Sequence, residues 1–312
     1  MKPMIKVLVN NSDITSIINQ DASSVNFTDE AGTVSDEIKL TIEGNFKKPQ
    51  YQDEIKLWLG VENQMMYCGV FLVQRSISKM GSGNSIEINA TAVDFSKNLK
   101  VKRNKTYENM SLKQLVAAIS KRHDLKIKCD YDDIYITHLE QSNESDLHFL
   151  KRVASDYNAL FSIKNDTLLF RKKIKNKKKS DDLPRYYLSV NENTSISVEH
   201  TNKEQYNSCK ATWRDTKENK QRSVTVGDGE PIKHIKDAYT SVADAKIKAE
   251  ACLQKSNSQT KVGTIDTSGF IVYAGGILVL SGTLEDDGEY NIKQVSHTID
   301  SNGWNLSLEI EN

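Results

Sequence analysis

The stretch from Gln141 to Phe170 constrains the fold more than any other part of this 312-residue chain. Its first half has the pattern of a capped amphipathic helix. Asn143 is the predicted N-cap, and Asp146, three residues later, is placed to complete a capping box. Glu144 and Asp146 bring negative charge to the first helical turn, where the helix dipole favours it. Apolar residues at helical spacing form the predicted buried stripe: Leu147, Leu150, Ala154 and Tyr157, with Phe149 and Val153 beside it.

The second half of this stretch has the pattern of a hairpin. Asn158 tolerates the left-handed conformation that ends many helices. Two short apolar runs follow, Leu160 to Ile163 and Thr167 to Phe170, joined by a Lys-Asn-Asp turn. The residues alone therefore predict a helix followed by a hairpin.

Hydrophobic periodicity divides the chain into three predicted parts. Residues 1–103 alternate apolar and polar side chains, which is typical of half-buried antiparallel strands. Residues 104–179 contain a predicted helix from Met110 to His123, with Ser111 as its N-cap, and then the helix-hairpin stretch. Residues 180–312 return to strands around one helix, Ser241 to Leu253, for which Ser241 is the predicted N-cap. The apolar face predicted for that helix consists of Val242, Ala245, Ala249 and Cys252.

The central motif resembles the phage late control D family. The resemblance runs through Gln-x-x-Glu-Ser-Asp, then Phe-Leu and Arg, an Ala-x-x-Tyr helix end and a Leu-Leu-Phe strand. Family members often have Gly where this chain has Asn158. The matching positions are Gln141, Glu144, Ser145, Asp146, Phe149, Leu150, Arg152, Ala154 and Tyr157.

The last forty or so residues resemble the end of the same family. An Asp-Gly turn precedes Tyr-x-Ile-x-x-Val-x-His, which ends at His297, and a Gly-Trp pair containing Trp304 opens an alternating strand. His297 is predicted to be a hydrogen-bonded structural residue. Trp304 shares the apolar face of its strand with Leu306, Leu308 and Ile310, so it is predicted to be buried.

The resemblance implies an α+β, mostly β fold, in which two tube-like antiparallel β-barrels flank a small helix-hairpin module. Late control D proteins are baseplate hubs of contractile tails and are related to the hub half of the type VI secretion spike. The implied role is a homotrimeric ring that adapts a six-fold tail tube to a three-fold spike. Its implied partners are the tube, a separate spike protein, baseplate wedge proteins and the tape-measure protein. The expected location is the tail baseplate of the virion, after assembly in the host cytoplasm.

Net charge and the length of the apolar runs argue against several other classes of protein. Lys plus Arg equals Asp plus Glu at 42 each, so the whole chain does not have the charge of a nucleic-acid binder. Two basic runs, Arg171 to Ser180 and Lys97 to Lys105, are better interpreted as solvated linkers than as DNA-facing strips. The sequence has no apolar run long enough for a signal peptide or a membrane span.

No cofactor, metal site or catalytic residue is predicted. The six histidines lack metal-ligand spacing, and neither a P-loop nor a nucleophile elbow is present. The four cysteines are far apart, which favours free thiols over a disulfide framework.

Two alternatives remain open at this point. A tail-associated peptidoglycan hydrolase would need two carboxylates facing one cleft. A monomeric carbohydrate-binding tail module would need an exposed aromatic patch, and the three tryptophans, Trp58, Trp213 and Trp304, are far apart in the sequence.

Overall fold

A computed structural model describes most of the chain. The described residues are 3–18, 23–31, 35–44, 46–81, 83–92, 99, 101–132, 134–164, 167–172, 183–200, 205–215, 218–236, 239, 241–257 and 261–311.

Strands dominate the described residues, as predicted. The strands are β1 (Pro3–Val9), β2 (Ser12–Asp13), β3 (Ser24–Glu30), β4 (Glu37–Glu43), β5 (Glu54–Val61), β6 (Gln64–Lys79), β7 (Ser85–Ala92), β8 (Lys102–Ser111), β9 (Lys126–Cys129), β10 (Tyr135–Ser145), β11 (Ala159–Lys164), β12 (Thr167–Lys172), β13 (Arg185–Ser189), β14 (Ser195–His200), β15 (Ser208–Asp215), β16 (Lys220–Gly227), β17 (Ile232–Lys236), β18 (Lys261–Ser268), β19 (Ile277–Ser281), β20 (Gly288–Asp300) and β21 (Gly303–Glu311). The helices are α1 (Thr15–Ile18), α2 (Leu112–Arg122), α3 (Asp146–Asp156) and α4 (Val242–Asn257), with a 3₁₀ turn at Leu284–Asp286.

The chain divides into two compact units, each built from segments that are distant in sequence. Unit 1 comprises Met1–Phe95, Asp181–Glu199 and Val262–Asn312, and unit 2 comprises Ser96–Ser180 and His200–Lys261. These units differ from the predicted linear division into 1–103, 104–179 and 180–312. The difference arises because residues 180–312 are divided between the two units. Their outer segments pair with strands of unit 1, and their middle segment packs in unit 2.

Unit 1 is built on one extended sheet, with the strand order β14-β18-β21-β20-β3-β4-β7-β6-β5-β1-β2 and with β13 and β19 joined to β20 at its side. Strand β20 pairs antiparallel with β3 from Gln294↔Glu30 to Ile299↔Val25, and this pairing connects the two ends of the chain. The alternation predicted these strands correctly. The inward residues of β4 and β21 are almost fully buried: Ile38, Leu40, Ile42, Trp304, Leu306, Leu308 and Ile310.

Two hydrophobic cores lie along this sheet. The first is formed by β1 and β3–β7, together with Ile299 and Trp304 from the C-terminal strands. The second is formed by β13 and β18–β21, around Ile265, Leu278 and Val295. The prediction of a mostly β fold is confirmed. The two strand-rich parts do not form separate sheets, however, because β20 is hydrogen-bonded to β3. The described strand pairs leave the sheet open between β14 and β2.

Unit 2 contains the helix-hairpin module and a second small sheet. Helix α2 has a Ser111 N-cap whose hydroxyl accepts a hydrogen bond from the Gln114 backbone, as predicted. Strands β11 and β12 form the predicted hairpin, and β12 also pairs in parallel with β9. The module core consists of Leu112, Leu115, Val116, Ile119, Phe149, Leu150, Val153, Phe161 and Phe170, among others.

Helix α4 packs on the sheet β16-β15-β17. Ser241 caps this helix, as predicted, by accepting a hydrogen bond from the Asp244 backbone at 3.1 Å. Ala245 and Ala249 are buried against the sheet, and Cys252 packs beside them. Val242 does not belong to this face. It is the first helical residue, and it is half exposed.

Most of the two basic runs lies outside the described residues. In the run from Arg171 to Ser180, the structure does not describe residues 173–180. In the run from Lys97 to Lys105, it does not describe residues 97, 98 and 100. Their role as linkers stays a prediction. Within the described part of the chain, no helix has the length and apolar character needed to cross a membrane.

Candidate functional site

Helix α3 begins two residues later than the sequence predicts. Its N-cap is Ser145, which has an extended backbone (φ −74°, ψ 158°) and accepts a hydrogen bond from the His148 backbone at 3.2 Å. Asn143 lies in β10 with φ 48°, beside a bulge between Gln141 and Glu144. Asparagine tolerates this left-handed conformation, so Asn143 shapes the bulge and does not cap the helix. Glu144 consequently belongs to the strand and not to the first helical turn.

Asp146, the first residue of α3, is completely buried and has several polar partners. Both carboxylate oxygens lie 2.7 Å from Arg122 Nη1, and Oδ2 also lies 2.7 Å from His123 Nε2. Gln141 donates an amide N–H to Oδ1 at 2.9 Å, and Arg103 Nε lies 3.3 Å from Oδ2. We call this group, Asp146 with Arg103, Arg122, His123 and Gln141, the Asp146 cluster.

The cluster joins four elements of unit 2. Arg122 and His123 come from the end of α2, Arg103 from β8 and Gln141 from β10, while Asp146 opens α3. Gln141 also donates to the Glu144 carbonyl at 3.0 Å and so supports the bulge that positions the helix start. A single buried carboxylate thereby fixes the orientation of both module helices relative to the antiparallel pair of β8 and β10.

The hydrogen bonds determine the charge state of Asp146. Burial disfavours the charged form, but hydrogen bonds from Gln141, His123 and Arg122 outweigh it and lower the pKa of this carboxyl below its usual value. A carboxylate that is buried, ionised and surrounded by cations lacks the raised pKa and solvent access of a general acid. The arrangement is therefore suited to holding structure.

A second layer of contacts surrounds the cluster. Arg122 Nη2 donates to the Tyr107 hydroxyl at 3.2 Å, and the Tyr107 ring stacks on Phe149 at 5.3 Å. Arg152 Nη2 binds Glu144 Oε1 at 2.5 Å and the Glu140 carbonyl at 2.8 Å, and its guanidinium lies over the Phe149 ring. The motif residues Glu144, Phe149 and Arg152 therefore form a second set of contacts that stabilises the start of α3.

The end of α3 connects the module to α4. Asn158 has φ 48°, the left-handed conformation predicted for the helix end. The Tyr157 hydroxyl contacts Asp244 Oδ1 at 3.3 Å, and Asn158 Nδ2 donates to Gln254 Oε1 at 2.6 Å. Leu150 is fully buried and Tyr157 nearly so, as predicted, whereas Leu147 is only half-buried.

His297 and Trp304 lie in unit 1, where β20 meets β3. The His297 ring is fully buried, stacks on Phe27 at 5.6 Å and lies 5.8 Å from Trp304. Its Nε2 is 3.2 Å from the Val272 carbonyl oxygen. Burial lowers the pKa of His297 to about 4, so the ring is neutral at neutral pH. Both residues belong to the core, as the sequence predicts.

One pocket, with a volume of about 450 Å³, bears on the hydrolase alternative. It lies in unit 1 beside α1, and Asp53 is the one carboxylate among its described lining residues. Hydrogen bonds from the Asn10 side chain and the Gln50 backbone lower the pKa of Asp53. A glycosidase needs a second carboxyl group as proton donor, and this lining offers none. The described residues also hold no group of three His, Cys, Asp or Glu side chains placed to bind a metal ion.

Sequence reasoning missed the partners that α2 and its C-cap supply to the Asp146 cluster. Arg122 and His123 precede Asp146 by 24 and 23 residues. The only local signal was the basic end of α2, which helix-dipole effects explain equally well. The motif residues are brought together in unit 2, whereas His297 and Trp304 form a distinct structural group in unit 1.

Comparison with solved structures defines the fold. A tail protein from Neisseria meningitidis MC58 superposes with a TM-score of 0.76 at 9% identity, covering 100% of this chain and 97% of that one. An Escherichia coli type VI secretion system component has a TM-score of 0.59 at 12% identity, covering 99% of this chain and 76% of that one. The fold is that of tail and type VI secretion proteins.

Sequence comparison gives the family. A family model described as phage tail baseplate hub (GPD) matches residues 56–303, and the chain belongs to this family. The probable baseplate hub protein of Escherichia phage P2 is 22% identical, covering 100% of this chain and 93% of that protein. That of Escherichia phage 186 is 27% identical over 245 residues, or 76% of this chain and 63% of that protein. The late control D resemblance is confirmed, and with it the assignment to phage tail baseplates.

Proposed function

We propose that this chain forms a homotrimeric ring that adapts a six-fold tail tube to a three-fold spike. The observation that carries the proposal is the pair of hydrophobic cores along the sheet of unit 1. Each core corresponds to one tube-like lobe, so that one chain supplies two lobes and three chains supply six. A ring of three chains then presents six similar lobes to the tube and three equal faces to the spike.

Closure of such a ring requires head-to-tail contacts between neighbouring chains, because one face of each subunit must bind a different face of the next. The proposed partners are the tail tube, a separate spike protein, baseplate wedge proteins and the tape-measure protein. Assembly would take place in the host cytoplasm.

In this proposal the protein acts as a structural component without a catalytic site or cofactor. The motif residues hold the fold of the subunit: Gln141, Glu144, Ser145, Asp146, Phe149, Leu150, Arg152, Tyr157, His297 and Trp304. Support comes from the Asp146 cluster, whose carboxylate is buried and lies beside the guanidinium groups of Arg103 and Arg122.

The test measures mass against concentration and then adds the spike. We expect a species of three times the 35.2 kDa chain mass at high concentration, in analytical ultracentrifugation. Dilution should favour the monomer, and addition of the cognate spike should restore a three-to-three complex because binding stabilises the assembled form. An unrelated trimeric protein serves as the control partner.

The alternatives give different results in the same samples. A chain that stays monomeric at high concentration and ignores the spike contradicts the ring. Clearing of purified peptidoglycan by the protein would instead indicate a hydrolase.

A further inference from the structure

The three-stranded sheet of unit 2 has two chemically different faces. Cys209, Ala211 and Trp213 of β15 point toward α4 and are buried. The alternate residues of β15, from Lys210 to Arg214, lie on the opposite face. Cross-strand pairing extends that outer face with Ser223 and Thr225 of β16 and with His234 and Lys236 of β17.

This outer face is basic. Lys210, Arg214 and Lys236 supply three positive charges, and His234 lies beside Lys210. We call the surface formed by Lys210, Thr212, Arg214, Ser223, Thr225, His234 and Lys236 the basic face. No carboxylate of the described residues lies on it, and the recorded side-chain partner of Arg214 is the neutral amide oxygen of Asn219. Asp228 and Glu230 occur in the loop beyond its far end, where Ser208 is buried.

The uncharged residues of the basic face narrow the choice of partner. Thr212, Ser223 and Thr225 carry hydroxyl groups, which together with Lys and Arg are the side chains that contact phosphate oxygens in protein–DNA complexes. None of its residues is Phe, Tyr or Trp, so it lacks the stacking platform that single-stranded nucleic acid uses. It also lacks the large apolar anchors that dominate protein–protein interfaces. The phosphate groups of a duplex fit this chemistry better than single-stranded nucleic acid or a protein surface does.

We propose that the basic face binds the phosphate backbone of duplex DNA without sequence preference. Strand geometry places Lys210 and Arg214 about 13 Å apart, with Lys236 between them on the neighbouring strand. A 13 Å length of duplex carries about eight phosphates, so all three cations have partners. The chain is neutral as a whole, so binding depends on this local concentration of charge and not on net charge.

The test uses a fluorescein-labelled 20-base-pair duplex and the full chain, followed by fluorescence anisotropy from 50 to 200 mM NaCl. Three phosphate contacts predict a slope of about −2.7 for log K against log salt. In the double variant K210E/K236E we expect binding to weaken at least tenfold. The milder K210Q/K236Q should reduce the magnitude of the slope by about 2, since each lost contact removes about one unit.

The matched control is K126E/K128E. These two exposed lysines lie on one side of β9, also in unit 2, and their reversal changes the net charge by the same amount. Its duplex affinity should stay within twofold of the unaltered protein. Circular dichroism and melting curves establish that each variant is folded.

Three outcomes overturn the proposal: no duplex binding at 50 mM NaCl, equal weakening in both double reversals, or tighter binding of labelled poly-L-glutamate than of duplex by the same face. The last outcome would identify an acidic protein surface as the partner. None of these results bears on the ring, because the trimer is measured by mass and the duplex by anisotropy.

Discussion

Asp146 and His297 are both completely buried titratable residues, and the two units accommodate them in opposite ways. In unit 2, Asp146 keeps its charge because two arginines, a histidine and a glutamine surround it. In unit 1, His297 is neutral because it is buried between Phe27 and Trp304, and its recorded hydrogen bond is to one carbonyl. The first site is held by a polar network and the second by apolar packing.

This contrast shows where each unit obtains its specificity. Helices α2 and α3 could pack in several orientations by burying apolar faces alone, and the Asp146 cluster selects one by requiring four elements to meet. The strands of unit 1 are already fixed by backbone pairing, so close packing of the surrounding side chains is enough to position His297. Substitution of Asp146 and of His297 therefore separates specificity from buried polar contacts and specificity from apolar packing.

Asp146→Asn should have the largest effect. It leaves Arg122 and Arg103 without their counter-charge, and breaking a buried ion pair costs about 3–5 kcal/mol. Denaturant unfolding measures the loss, and hydrogen exchange should locate it in peptides of unit 2. The matched control is Asp132→Asn, which breaks the exposed 2.6 Å pair with Lys113 and should leave the midpoint unchanged. Equal effects of the two substitutions would contradict the role of the cluster.

Leu150→Ala should destabilise the protein by about 2–5 kcal/mol, because it opens a cavity in the module core. Leu147→Ala on the same helix is the control, since Leu147 is only half-buried and should cost clearly less. The melting temperature and denaturant midpoint report both changes. An unchanged midpoint for Leu150→Ala would show that the assignment of the buried face is wrong.

Acid should weaken unit 1 through His297 before it neutralises Asp146. The pKa of His297 is lowered from 6.5 to about 4, so between these values the unfolded chain binds a proton that the folded chain does not. Stability from this residue is complete above about pH 6.5 and is lost as the pH falls toward 4, by about 3 kcal/mol. The pKa of Asp146 lies below its usual 3.8, so its carboxylate stays charged throughout this window.

His297→Phe isolates this contribution. The variant should lose less stability than the unaltered protein between pH 7 and pH 4.5, and the protected exchange should be in peptides of β20 and β3. If both proteins respond identically to pH, another residue governs acid sensitivity and the contrast between the two buried sites fails.

Ser145→Ala should have the smallest effect, about 1 kcal/mol, because it removes one capping hydrogen bond from α3. Asn143→Gly distinguishes the observed N-cap from the predicted one, since glycine keeps the left-handed conformation of the bulge. Loss of helix stability in Asn143→Gly, even by the few tenths of a kcal/mol that a glycine cap costs, with no loss in Ser145→Ala would restore Asn143 as the cap.

The parts of the fold that depend on neighbouring residues were predictable from the sequence. Period-two alternation identified β4 and β21, and helical spacing identified Leu150 and Phe149 as core residues. The cap of α3 was misplaced because Asn143 and Ser145 are both good capping residues. The decision between them depends on pairing of β10 with β8, which is not local.

The features that depend on distant residues were not predictable. Arg103 and Arg122 have no sequence mark that pairs them with Asp146, and a cation in a helix end or strand is usually exposed. The division of residues 180–312 between two units could not be predicted either. Alternation shows that a strand is half-buried, but it does not show which strand pairs with it.

The position of β20 and β21 within unit 1 has a consequence for how the protein is made. These strands lie between β18 and β3 in the sheet, yet both are synthesised after β3 and β18. Every segment of unit 2 has been synthesised before either strand exists. A nascent chain that stops before β20 therefore lacks the strands that join the two cores, so unit 1 is complete only in chains that have been translated through β21.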